Sequence, residues 1–230
     1  MGEHILPGNP PVELTLRRSS RARRISLRVS RLDGRVTLTL PRGVRSAAAL
    51  DFARSKEDWL RAQLQAQPQM TAVAIGAEIP VEGRLRRIIP ASGRRVVLAE
   101  DELAVPGAAD NIAIRIQAWL KTLARDRLAA ASDRYAQALG RPYARITLRD
   151  TRSRWGSCSS NGGLMYSWRL IMAAPEVLDY VAAHEVAHLA EMNHSSAFWA
   201  HVARLYPGYE GPRRWLRDHG SDLHRYRFDD

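Results

Sequence analysis

Residues 184–188 read His-Glu-Val-Ala-His, and a third histidine, His194, follows six positions after the second. That spacing constrains the local fold more than any other feature of the chain. Side chains at i and i+4 share one face of an α-helix, so His184 and His188 meet only if this segment is helical. Glu185 is then offset by one position and can reach water held at the same point. Three neutral imidazoles plus an open position make the donor set of a catalytic zinc site, whereas a closed structural site takes four protein ligands. The pattern implies metal-assisted hydrolysis of the kind carried out by zinc peptidases.

The flanking residues agree. Val177, Leu178, Tyr180, Val181, Val186 and Leu189 make the segment apolar almost all round, which predicts a buried helix whose polar groups need partners. Pro175 suits the first helical turn, where a missing N–H costs nothing. The helix is expected to run to about Glu191. Asn193 tolerates the left-handed backbone that ends helices, which would let the chain double back and present His194. His201, on the next expected helix, competes as third ligand; the helix-exit geometry favours His194. Glu191 holds the position where metzincin proteases carry glycine, and no methionine follows Met192, so only the ligand spacing is shared with that group. Glu210, in a turn-rich stretch, is a poor glutamate ligand.

Upstream, Asn161-Gly162-Gly163 is a turn signal. After it, Leu164, Tyr166, Trp168 and Leu170 alternate with Met165, Ser167, Arg169 and Ile171, which predicts a strand over 164–172. A strand beside the histidine helix could take up an extended peptide by β-augmentation. Arg154, Trp155, Tyr166 and Trp168 are therefore the candidate substrate-binding residues, although the two tryptophans also suit a plain apolar core.

The segments Arg154-Trp155-Gly156-Ser157-Cys158, Trp168-Arg169-Leu170, His184-Glu185-Val186-Ala187-His188 and Asn193-His194-Ser195-Ser196-Ala197-Phe198-Trp199 together resemble the YgjP-type metallopeptidase family. SprT-like proteases are related and also carry an HExxH with a later histidine followed by phenylalanine. The arginine-rich stretch Arg21-Ala22-Arg23-Arg24-Ile25-Ser26-Leu27-Arg28-Val29 extends the likeness over most of the chain. The resemblance implies that His184, His188 and His194 hold one zinc ion and that Glu185 is the catalytic glutamate. It implies a peptide or protein substrate.

Zinc brings the pKa of its water to about 7, and Glu185 would take that proton and pass it to the leaving amine. A second donor is wanted for the developing oxyanion; Tyr166, Arg154, Tyr206 and Tyr209 are candidates, unranked. Ligand histidines usually donate their other N–H to an oxygen, and Asp179 and Glu191 are near in sequence. Zinc over iron or cobalt is an inference from ligand type, and geometry alone does not exclude those.

A single cysteine, Cys158, excludes an internal disulfide and fits a reducing cytoplasm. It reads as a small packed side chain. No apolar run is long enough to span a membrane, and Met1 to Pro11 lacks the layout of a signal peptide. The net charge is +11, with Lys56 and Lys121 the only lysines. Arg17, Arg18, Arg21, Arg23, Arg24, Arg28, Arg31, Arg35, Arg42 and Arg45 face Asp33 alone in that span. Such a region could bind nucleic acid, in a salt-dependent way, or form the solvated face of a sheet. A nucleic-acid-binding protein with a purely structural zinc is the competing reading.

The fold class expected is α+β: a zincin-like metallopeptidase domain, with an active-site helix and a small mixed sheet, from 109 to 230, and a β-rich N-terminal region with one helix over 1–108. In that region strands are expected over 12–17, 24–30 and 35–40, the last two joined at Asp33-Gly34, then a helix over 46–65. A frayed start precedes them. Short strands are expected from 75 to 106, with turns at Gly83, Ser92-Gly93 and Asp101-Glu102. Residues 68–107 carry no recognisable motif. A long helix should run from 109 to 139 and stop at Gly140, with Pro142 beyond. A strand over 144–149 opens the catalytic sheet. Two short helices close the chain, one capped by Ser195-Ser196, the other from Pro212 to about Gly220.

Overall fold

The computed structural model describes residues 2–30, 33–66 and 69–228, and the chain divides into two compact units, Met1–Gln69 and Met70–Asp230. In the first, strands β1 (Gly2–Leu6), β2 (Val12–Ser19), β3 (Ser26–Val29) and β4 (Val36–Pro41) precede helices α1 (Ser46–Arg54) and α2 (Glu57–Gln65). The sheet order is β1-β2-β4-β3; β2 and β4 are parallel and the other pairs antiparallel. Alternation decides the faces. Leu14 pairs with Val36 and Leu16 with Leu38, so these apolar residues share the side that packs on Ala49, Ala53 and Leu60. A one-residue slip would turn them all to solvent.

Two differences from the sequence expectation concern this unit. The start of the chain is not frayed: residues 2–6 pair with β2, and Leu6 is buried. The expected helix over 46–65 is two helices of nine residues each. Ser55 donates its hydroxyl to the Phe52 carbonyl at 2.8 Å, and Lys56 leaves the helical region at φ −114°; a serine that bonds back to the main chain competes with the helix ladder. The Asp33-Gly34 turn is present, with Gly34 at φ 71°. Arg31, part of the basic stretch, and Pro68 lie outside the described residues.

The second unit opens with β5 (Thr71–Ala72), β6 (Glu78–Val81), β7 (Arg84–Ala91), β8 (Val97–Leu98) and β9 (Glu102–Pro106). The last four form a sheet of order β6-β7-β9-β8. Helix α3 (Ile112–Leu139) follows. Ile112, Ile116, Leu120, Ala124, Leu128 and Ala131 are buried along it, a stripe at helical spacing. Gly140 ends it in the left-handed conformation at φ 72°, which glycine takes without Cβ strain. Then come β10 (Arg145–Arg149), β11 (Gly156–Cys158), β12 (Gly163–Ser167), α4 (Pro175–Ala187), α5 (Ser196–Leu205), α6 (Glu210–His219) and β13 (Tyr226–Arg227). Strand β12 is central, parallel to β10 and antiparallel to β11, and β13 pairs with β5. The small mixed sheet and the histidine helix are thus the zincin-like pair. Ile79, Val81, Ile88, Leu103 and Val105, which the sequence reading placed before the catalytic domain, share one core with Leu120 of α3 and Val186 of α4. No described helix is long and apolar enough to cross a membrane.

The strand expected over 164–172 stops at Ser167. Trp168–Met172 is a 3-10 helix with all five side chains buried, so the alternation no longer separates two faces. Arg169 is the polar residue this burial must accommodate. Its guanidinium makes a two-point contact with Asp150, at 2.7 and 3.1 Å, and donates to the carbonyls of Leu223 at 3.0 Å and Tyr226 at 3.1 Å. It also lies 4.8 Å from the Trp168 ring. One cation thereby ties the start of the 3-10 turn to the C-terminal segment. Replacing Arg169 with Met strands those acceptors and should cost roughly 2–4 kcal/mol. The loss would be read as a lower Tm, with proteolysis beginning in residues 220–228. Arg169→Lys, which cannot reproduce the two-point contact, should recover only part; an unchanged Tm in both variants would remove the clamp.

Candidate active site

Helix α4 is buried on most sides; Glu176 and Asp179 reach solvent near its start, and His184, Glu185 and His188 lie at its end. Its hydrogen-bond ladder tightens there: Leu189 N–H bonds to the Val186 carbonyl and Ala190 N–H to that of Ala187, at 2.9 and 3.1 Å. Regular helix therefore ends at Ala187, earlier than the expected Glu191, with His188 as the cap. Asn193 does not adopt the left-handed backbone; among the described residues Glu82 is the one non-glycine with positive φ. The side chain of Asn193 makes the turn instead. Its Oδ1 accepts from Ser195 N–H at 2.9 Å and its Nδ2 donates to Glu191 Oε1 at 2.6 Å. Ser195 Oγ in turn accepts from Phe198 N–H and caps α5.

This turn carries His194 back to the helix. Its Nε2 lies 3.1 Å from Nε2 of His184, and the ring nitrogens of His184, His188 and His194 fall within 4.8 Å of one another. Metal–nitrogen bonds of about 2.0–2.1 Å in a tetrahedron put donors roughly 3.3 Å apart. The trio therefore needs only a small contraction to hold one ion. His201 and Glu210 are not in the cluster.

Phe198 is the common support. Fully buried on α5, it packs against all three imidazoles, with ring centroids 4.9, 4.3 and 4.7 Å from His184, His188 and His194. Burial holds His184 neutral, with its pKa down at about 3, and lowers that of His188 as well. Neutral imidazoles are the ligand form. Nδ1 of His188 lies 3.0 Å from the Glu191 carbonyl, which can only accept; the proton is therefore on Nδ1, and Nε2 keeps its lone pair. The partner is thus the main chain of Glu191 and not its carboxylate. Asp179 is no partner of the histidines: it pairs with Arg134 at 2.7 Å. His184 Nδ1 is buried without a hydrogen bond.

Glu185 is 5% exposed. Burial pushes its carboxyl up to about 8, and the nearby Arg154 guanidinium opposes that rise. What admits the side chain is Gly156 on β11. A Cβ there would sit 2.5 Å from Oε1 and 2.6 Å from Cγ of Glu185, closer than real contacts allow. Gly156 is the residue whose role sequence reasoning missed. Its signal was a glycine inside a strand, which often marks close approach of a neighbour. Cys158 is free and half-buried, its thiol pushed up to about 11 by burial and then by Glu185.

Two of the four expected substrate-binding residues are corrected. Tyr166 is 0% exposed, with its hydroxyl 3.0 Å from Ser132 Oγ, and Trp168 is 1% exposed. Both are core, beyond reach of a substrate. The strand that carries Tyr166 is also paired on both sides, so β-augmentation there is closed; the edge strands are β10 and β11, and β11 is the one that lies against Glu185. Arg154 is exposed, and Trp155 is half-buried with its ring 5.3 Å from His224. Tyr206 stands by Tyr135 at 6.4 Å, next to the Asp179 end of α4. Tyr209 lies on the histidine side: it stacks on Trp199 at 5.3 Å and Tyr180 at 6.4 Å, with Arg213 over Trp199 at 4.3 Å. Trp199, which the sequence offers only as part of the family segment, and Arg213 were not among the expected site residues.

Comparison with known proteins bears on this geometry. Among curated proteins none matches. The crystal structure of the metallopeptidase zymogen of Pyrococcus abyssi abylysin is similar at 24% identity, covering 41% of this chain and 93% of that one; its TM-score of 0.34 is too low to bear on the fold. The model of the YgjP-like metallopeptidase domain matches residues 23–219, a span that crosses both units. The chain belongs to the YgjP-like metallopeptidase family.

Proposed function

We propose that this metallopeptidase cleaves peptide bonds with one zinc ion held by His184, His188 and His194, and with Glu185 as general base. The observation that carries the reading is the convergence of three imidazole nitrogens beside a buried carboxyl group. Nitrogen donors of this kind suit zinc, and a purely structural site would ask for a fourth protein ligand, which the cluster among the described residues lacks. When bound, zinc supplies Lewis acidity and brings the pKa of water to about 7.

The chain's own groups do the rest. Glu185 takes the proton of the attacking water on its carboxylate and releases it to the departing amine. This carboxyl, raised by burial, would be drawn by a bound cation back towards the ionised form that accepts the proton. Phe198 holds the imidazoles still, and Gly156 leaves room for the carboxylate. An extended peptide would pair with the free edge of β11. Arg154 and Tyr209 are then the donors for the developing oxyanion, in place of Tyr166.

Metal analysis with a peptide-library digest tests this. Glu185→Gln and Gly156→Ala should both keep about one zinc per chain and lose turnover by about 10²–10⁴-fold. His194→Ala should lose the metal. A Glu185→Gln protein with full activity would end the proposal.

Glu185 also makes a pH prediction for the metal-free protein. Its folded pKa of about 8 lies above the ordinary 4.5. A raised carboxyl contributes stability below the unfolded value, and that contribution is lost as pH rises towards the folded one. Metal-free Glu185→Gln should therefore match the parent near pH 5 and melt several degrees higher by pH 8. Parallel melting curves across that window would show that the carboxylate is not desolvated.

A further inference from the structure

The N-terminal unit carries a charge arrangement that hydrolysis does not use. Strands β2 and β4 are parallel, so both leave the sheet at the same end, and β3, antiparallel to β4, enters there. The β2–β3 loop and the β4–α1 loop consequently meet. They bring Arg21, Arg23, Arg24, Arg42 and Arg45 together, with Arg17 on the last stretch of β2. All six are exposed, and their side chains make no ion pair among the described residues. Between residues 14 and 50 the sole acid is Asp33. It lies in the β3–β4 turn at the opposite end, paired with Arg35 at 3.4 Å.

Arg18 is used differently. Its guanidinium donates to the carbonyls of Arg42 at 3.0 Å and Val44 at 2.8 Å, and to Ser46 Oγ at 3.1 Å. One arginine thus fastens the loop that presents two others, inside a crowd of like charge. Crowding of that kind costs stability unless an anion covers it.

We infer that this end of the sheet binds the sugar–phosphate backbone of nucleic acid without base preference. Guanidinium forks match phosphate oxygens two at a time. The loop Ser20-Arg21-Ala22-Arg23-Arg24-Ile25 has one large apolar side chain, Ile25, and that packs against the core of the unit, so none is left to enter a bilayer. It has no aromatic ring on which a base could stack.

The test is binding of the full chain to two DNA duplexes of unrelated sequence and, separately, to vesicles of phosphatidylserine and phosphatidylcholine. Both duplexes should bind alike, with affinity falling about 10²–10³-fold between about 50 and 200 mM salt, as four to six phosphate contacts require. Arg21→Glu/Arg23→Glu/Arg24→Glu, and independently Arg42→Glu/Arg45→Glu, should each lose at least about tenfold. Arg87→Glu/Arg94→Glu/Arg95→Glu, on exposed positions of the second unit, should retain binding. Equal loss in all three variants would reduce the effect to net charge and overturn the inference, as would no duplex binding or a preference for vesicles. Peptide hydrolysis by the first two variants should be unchanged, so a failure here is distinct from a failure of the catalytic assignment.

Discussion

Burying titratable side chains at the end of an apolar helix is the constraint on which the rest of the second unit depends. Taking a carboxylate out of water costs several kcal/mol, and imidazoles deprived of water lose hydrogen bonds that something must replace. The protein recovers part of this locally, through the Glu191 carbonyl on His188 and the neutral state of His184. The remainder is left standing: a ring nitrogen of His184 without a partner and a carboxyl with a raised pKa. A cation at the histidine trio would answer the second, by drawing the carboxyl towards its ionised form, and would partner the Nε2 of His184 while leaving its Nδ1 as it is.

That arrangement survives only if the surroundings cannot relax. Phe198 touches all three imidazoles from below, and Gly156 brings the β11 backbone against Glu185. The edge strand is held in turn from the far side. Trp155 rests against His224 and over Gly220, where an added Cβ would meet its ring at 3.0 Å. The segment carrying Gly220 and His224 is anchored by Arg169. A chain of contacts thus runs from the C-terminal segment through β11 to the carboxylate, each link a packed side chain. Sites of this kind need such support, since small displacements of a catalytic group are costly.

Much of this was legible in the residues, for identifiable reasons. Helical spacing, a stop at Gly140 and a serine cap at Ser195 are local signals, and the structure follows them. Spacing also brought His194 to the histidine pair ahead of His201. What failed depended on contacts distant in sequence. Alternation over 164–172 identifies one face of a strand but not whether its edges are free, so Tyr166 and Trp168 read as accessible when both are core. Asn193 was read by its tolerance for positive φ, yet its side chain makes the turn. Gly156 carries no period at all; only the neighbour that fills its missing Cβ reveals it. The first strand was missed because prolines at 7, 10 and 11 suggest loop, and Gly2–Leu6, with Ile5 beside Leu6, shows no alternation to set against them.

The shape of the site also limits how a substrate can be held. Strand β11 has only three residues, and one edge already pairs with β12. An extended peptide could therefore gain two or so ladder bonds there, each worth about 0.5–1.5 kcal/mol net. That is less than millimolar binding requires, about 4 kcal/mol. The deficit has to come from side chains around the histidines. The stack of Trp199, Tyr209 and Arg213 offers large, stiff surfaces with polar tips, the kind that bury area at little entropic cost. Main-chain pairing would then orient the scissile bond, while this aromatic wall and Arg154 would supply most of the affinity and the choice of residue.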